Sequence, residues 1–194
     1  MAQTLKEKVI RAAVDYIADF GPDGLSFRRI AADAGVSHQA PYHHFGDRDA
    51  IFAEIGLEGF RRFTEELTAA PRDGEDPDVA TRMLERYVSF ALENKGYFRV
   101  MFRSDLCKMS QSPELQKAAD EAFGTLISMV TEVVGDQAAV DEIRITATAM
   151  WSVAHGLATL LIDGPLEVKI GAVNDRRLLA RAVARRTLDG ITGR

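Results

Sequence analysis

Residues 25–48 hold side chains suited to reading hydrogen-bond patterns rather than to breaking bonds: His38, Gln39, Tyr42 and His43, with Arg28, Arg29 and Arg48 around them. A glutamine amide donates and accepts at once, which matches the major-groove edge of adenine. Tyrosine and histidine reach phosphates or base edges, and guanidinium groups take phosphate oxygens. Ser26 and Ser37 stand where hydroxyls would cap short helices and leave backbone N–H groups facing an anion. Bond-breaking chemistry has no comparable support. The histidines 38, 43, 44 and 155 make neither a His-x-x-x-His nor a Glu-x-x-His pair, and there is no phosphate-cradling glycine loop or nucleophile elbow. No catalytic residue, metal site or cofactor is expected, and an enzyme is the weakest reading.

Two short helices joined at a glycine must position these groups. Ser26 begins one, with Ile30, Ala31 and Ala34 on its inner face. Gly35 ends it, because a residue without a Cβ tolerates positive φ. Ser37 is expected to cap the next helix, running to about His44. In a helix-turn-helix the second helix lies in the major groove. Pro41 then falls about four residues into that helix and is expected to distort it. Residues 1–50 carry six Lys/Arg against seven Asp/Glu, and the chain's net charge is −5. Any contact with a polyanion therefore depends on local geometry, not bulk charge. A helical adaptor that binds no DNA is the competing reading of the same pattern.

The rest of the chain carries the helical period almost throughout. Apolar residues from Leu5 to Phe20 recur at three- and four-residue steps, which predicts a helix over 4–20. Further helices are expected from Asp47 to about Leu67, from Asp76-Pro77 to about Lys95, over 97–103, from Ser112-Pro113 to about Val134, and over about 137–162 and 174–190. Residues 70–77 read as a linker, and 104–111 as a loop. No strand-like alternation or repeat is visible. The fold class is all-α, with about nine helices. At 194 residues the chain is long enough to bury a core without staples. Its one cysteine, Cys107, makes no internal disulfide; beside Lys108 it is open to redox chemistry or to a passive role. The start has no apolar leader, so a cytoplasmic protein is expected. Residues 145–162 lack Asp, Glu, Lys and Arg, but their Thr, Ser, His and Gly favour a buried helix over a membrane span.

Beyond spacing, the segment through Ser26, Ile30-Ala31, Ala34-Gly35-Val36-Ser37, Tyr42-His43-His44-Phe45 and Asp47-Arg48 resembles the DNA-binding domain of the TetR family of bacterial transcriptional regulators. Arg48 stands where that family usually has a basic residue used on phosphate. Ala40-Pro41-Tyr42, and Trp151, His155 and Gly156 further on, resemble one subgroup, named for a Trp-His-Gly signature in its regulatory domain. The resemblance implies an N-terminal three-helix helix-turn-helix domain over 1–47 and a C-terminal helical ligand-binding and dimerisation domain over 48–194. The expected DNA-binding residues are Ser26, Arg28, Arg29, Ser37, His38, Gln39, Tyr42, His43 and Arg48.

The resemblance also implies a homodimer through helices 137–162 and 174–190, a double-stranded operator as partner, and a small-molecule effector. Helix 137–162 is apolar or small nearly all round, which fits a partner's cover. The arginines of 174–190 read as a solvated or rim face. An effector cavity would draw on Met83, Tyr87, Phe90, Phe98, Met101, Phe102, Phe123, Met129, Trp151 and His155, since Met and aromatic side chains make adaptable apolar walls. The expected function is a repressor released by a largely apolar effector, with an activator of the same fold as the alternative.

Overall fold

The computed structural model describes residues 4–70 and 78–192. Among these it is all-helical, with ten α-helices, one 3-10 turn and no strand. By compactness the chain divides into two units, Met1–Arg62 with Asn94–Asp120, and Phe63–Glu93 with Glu121–Arg194.

The first unit opens with α1 (Leu5–Phe20). Thr4 accepts from the Glu7 N–H at 3.2 Å, and Glu7 reaches back to the Thr4 N–H at 2.9 Å. This reciprocal box satisfies two N–H groups that the first turn leaves without partners. α2 (Phe27–Asp33) is capped by Ser26, as expected. Gly35 leaves it at φ +64°. Its N–H bonds to the Ala32 carbonyl and that of Val36 to Ala31, the paired closure that needs a left-handed residue between.

α3 (Ala40–Phe45) departs from expectation. Ser37 does not cap it. The Ser37 carbonyl instead takes the Ala40 N–H at 2.9 Å, closing a turn through His38 and Gln39. The helix starts two residues later than predicted, so Pro41 lies in its first turn, where a missing N–H costs nothing. The expected distortion is absent for that reason. Gly46 (φ +73°) ends α3, and Asp47 accepts from the Ala50 N–H to open α4 (Arg48–Thr68).

After the second unit's first helix the chain returns as α6 (Lys95–Met101), which stops short of the expected 97–103 span. It packs on α1. A Cβ at Gly96 would collide with the Val14 carbonyl, so the crossing requires glycine. Arg99 donates to the Ile17 and Ala18 carbonyls at 3.0 and 2.8 Å, filling the acceptors at the C-terminal end of α1. The loop after α6 contains a 3-10 turn, Met109–Gln111. Ser112 then precedes α7 (Pro113–Val134), and its hydroxyl accepts from the Leu115 N–H. Val9, Ala13, Ile17, Ile30, Ile51, Ile55, Val100 and Met101 form the core of this unit, all essentially without exposure.

In the second unit α5 (Val79–Glu93) is the central helix, packed against α8 (Val140–Ile162) and α10 (Arg176–Thr192). The expected Asp76-Pro77 start lies outside the described residues. Within them, Asp78 accepts from the Ala80 and Thr81 N–H groups. Almost every residue of α5 is buried, Glu85 and Arg86 included. Arg86 donates to the carbonyls of Glu66, Ala69 and Ala70, each at 2.7 Å, capping the end of α4. Glu85 is held by Arg181 at 2.5 Å and Arg177 at 3.0 Å. A short α9 (Pro165–Ile170), not foreseen, links α8 to α10 and supplies Glu167 to Arg176 at 2.8 Å. Three arginines of α10 are thus paired with acids, which argues against that helix as an anion-binding stripe.

Among the described residues, α8 alone is long and apolar enough to cross a membrane. It packs instead as a core helix of this unit through Met150, Ala154, Leu157, Ala158 and Leu161.

Candidate nucleic-acid interface and effector cluster

α3 offers one face to solvent. Ala40 and Pro41 are buried and seat the helix, while His38, Gln39, Tyr42, His43 and His44 are exposed around its start and outer side. Tyr42 is 57% exposed. Its ring is nonetheless held: the buried Phe27 of α2 meets it edge-on, with centroids 4.4 Å apart. Such a contact is worth about 0.5–1.5 kcal/mol beyond burial, enough to favour one ring orientation.

The flanking basic residues differ in how they are engaged. Arg28 is exposed and makes no ion pair or hydrogen bond with other described residues. Arg29 is exposed too, but its Nε lies 2.7 Å from Asp33 and its guanidinium sits 5.6 Å from the centre of the Tyr16 ring. Arg48 is exposed at the start of α4, beside the Phe52 ring at 5.5 Å, with one nitrogen 3.4 Å from the Pro22 carbonyl. Ser26 spends its oxygen on the Arg29 N–H. Ser37 is exposed in the turn before α3. All nine predicted residues thus fall on α2 or its N-cap, on α3, on the turn between them or on the first residue of α4, and all nine are exposed. Spacing passed over Phe27, which reads as an ordinary inner-face residue. Its contact with Tyr42 spans the turn and carries no local signal.

The ten predicted effector residues divide between the units. Phe98, Met101 and Phe102 belong to the first, where Phe102 meets Phe98 and Phe60 edge-on at 5.5 and 5.6 Å. The other seven belong to the second. There Tyr87 is the hub. Phe63 packs edge-on against it at 5.0 Å, and Phe63 also touches Phe90. The Tyr87 hydroxyl lies 2.9 Å from His155 Nδ1, and Trp151 Nε1–H donates to Tyr87 Oη at 3.3 Å. An Oη that accepts from the indole keeps both its own proton and a second lone pair, so the Oη–Nδ1 hydrogen bond forms with either imidazole tautomer. Burial pushes the Tyr87 phenol well above the usual tyrosine range and pulls His155 below the usual histidine value, so both are neutral near pH 7. Met83 is buried and Met129 half-buried. Phe123, at 49% exposure, lies against Trp151 at the surface.

Cys107 is buried, with its thiol directed at the Phe52 carbonyl at 3.6 Å, and burial pushes its pKa up to about 12. Its buried thiol fills space between the loop and α4 as a packing residue.

Comparison with known proteins agrees with this arrangement. The family profile described as bacterial regulatory proteins, tetR family, matches residues 9–55, and the tetracyclin repressor-like C-terminal domain matches residues 80–186. The HTH-type transcriptional regulator YobS of Bacillus subtilis (strain 168) is 24% identical over 166 residues, spanning 84% of this chain and 82% of YobS. The HTH-type transcriptional repressor AcnR of Corynebacterium jeikeium (strain K411) is 32% identical over 60 residues, 31% of this chain and 32% of AcnR. A solved structure from Rhodococcus sp. RHA1 superposes with a TM-score of 0.76 at 29% identity, covering 97% of this chain and 96% of that one. With one profile matched over residues 9–55 and the other over residues 80–186, the chain belongs to the TetR family of bacterial transcriptional regulators.

Proposed function

We propose that this regulator is a cytoplasmic repressor that binds a palindromic double-stranded operator as a homodimer and leaves it when a small, largely apolar effector binds. The observation that carries the DNA-binding part is the exposed surface around α3, where Tyr42 and His43 stand on a helix seated by Ala40 and Pro41 and His38 and Gln39 on the turn that leads into it. Residues 1–47 form the reading head in this view, and 48–194 the effector-binding and dimerising body. α3 is only six residues long. A helix that short reads few base pairs, so specificity requires two copies on half-sites about one helical turn apart.

The dimer reading rests on α8. Ile145 is 70% exposed and Leu160 43%, and between them Thr148, Ser152 and Gly156 form a small-residue strip. A second helix fits closely against such a strip, and its apolar ends profit from cover. On α10, a shallow depression lined by Ala182, Val183, Arg186 and Thr187 belongs to the same reading.

The effector reading rests on the Tyr87–His155–Trp151 network amid Phe63, Phe90 and Met83. Apolar walls around one polar group favour a hydrophobic molecule with a single hydrogen-bonding end. Trp151, His155 and Gly156 also support the Trp-His-Gly subgroup. The effector must prefer the state that does not fit the operator; a tenfold loss of operator affinity requires about 1.4 kcal/mol of such preference.

A gel shift with DNA flanking the protein's own gene tests the core of the proposal. The native chain should give a sequence-specific, salt-sensitive shift, and Tyr42→Ala should weaken it by about tenfold or more. Binding no tighter than to random DNA would reject it.

A further inference from the structure

The head's charge balance poses a problem for a DNA-reading surface. Within residues 1–50 the acids outnumber the bases by seven to six, and two of the acids, Asp47 and Asp49, flank Arg48 at the start of α4. An unscreened carboxylate there repels the phosphate that Arg48 would attract. Screening by salt does little at this range, because neighbouring residues lie within the Debye length of about 8 Å.

A base from far along the chain answers part of it. Lys108, in the loop after α6, forms an ion pair with Asp49. Asp49 raises the lysine's pKa through their hydrogen bond and its charge, and the charge of Asp47 adds a smaller increment. The loop is fastened just ahead of this contact. The buried Cys107 beside it packs close to Gly56 of α4, with its thiol on the Phe52 carbonyl. Arg103 lies 3.2 Å from Asp23 in the turn between α1 and α2, although it shares its charge with Asp105 at 2.6 Å. Lys108 is therefore the clear source of added positive charge.

We propose that Lys108 is an electrostatic part of the DNA-reading surface: it masks the carboxylate of Asp49, so that a phosphate approaching the start of α4 meets the charge of Arg48 with one of its two flanking carboxylates covered. Lys108 is a positioning and masking residue, and the inference rests on the head binding DNA. The pair is half-exposed, and pairs of that kind add little to folding, so substitutions here leave a folded protein.

Opposite signs separate masking from mere clasping. The probe is a duplex selected from a random library by the native protein, with gel shifts read across a salt series. Lys108→Gln should weaken binding by about three- to tenfold at roughly 0.1 M salt, with the loss shrinking as salt rises. Asp49→Asn alone should bind at least as well as native, and Lys108→Gln with Asp49→Asn should return to within about twofold of it, because the uncovered charge is gone. If Asp49→Asn weakens binding as much as Lys108→Gln does, or if Lys108→Gln has no effect, masking is overturned while the DNA-reading assignment stands. If the native protein holds no selected duplex tighter than random DNA, the assignment itself fails, and the inference with it.

Discussion

Burial lowers the pKa of His155 in the folded chain, so its ring resists a second proton. The unfolded chain has no such restraint and takes up that proton near the ordinary histidine pKa of about 6.5. Folding stability from this group is therefore present above that value and lost as pH falls through it, since the unfolded state then binds more protons. The melting temperature should drop between pH 7.5 and 5.5 more steeply in the native protein than in His155→Gln, whose amide does not titrate; calorimetric melts at both pH values check this. Equal slopes would remove His155 from the pH response. That His155 lies one turn after Trp151, on the same helix face, was legible in the sequence. Its partner Tyr87, 68 residues away, was not, because no local spacing encodes a contact between helices.

Helices in this protein are closed as much by distant arginines as by local caps. Arg99 fills carbonyls at the end of α1, and Arg86 fills three at the end of α4 from a position with about 1% exposure. Removing Arg86 leaves those acceptors without a cationic donor and opens a void in the central helix. Arg86→Met should cost about 2–4 kcal/mol of stability, read as a lower denaturant midpoint. α5 also explains a misplacement of emphasis. The sequence shows 137–162 as apolar or small nearly all round, yet α5 is the more buried helix. Its two buried charges are tolerated because each is partnered: Glu85 meets Arg177 and Arg181, and Arg86 meets backbone carbonyls. The head was read more fully, because its rules act within a few residues: Ser26 three before Arg29, and Gly35 at the one turn that needs positive φ. Even there the start of α3 was set two residues early, since a turn through His38 and Gln39 competes with a serine cap.

At the scale of the whole molecule, the exposed strip on α8 sets the expectation. A chain that leaves Ile145 and Leu160 uncovered on one helix should pair through them. The native protein should sediment as a dimer at micromolar concentration, and Ile145→Asp with Leu160→Asp should sediment as a monomer. The same pair of changes should lower operator affinity by at least about tenfold, since a lone head reads half a site. A native monomer would refute the arrangement. The family and the helical class were legible at this scale because both halves carry local signatures. The internal charge pairs were not, because Lys108 and Asp49 stand 59 residues apart and Arg181 and Glu85 stand 96 apart. Trp151 is the chain's single tryptophan, and it sits half in solvent with its indole N–H on Tyr87 and its ring near Phe123. All indole emission thus arises from one place, so the molecule carries its own optical gauge of events at that spot, readable without any attached dye.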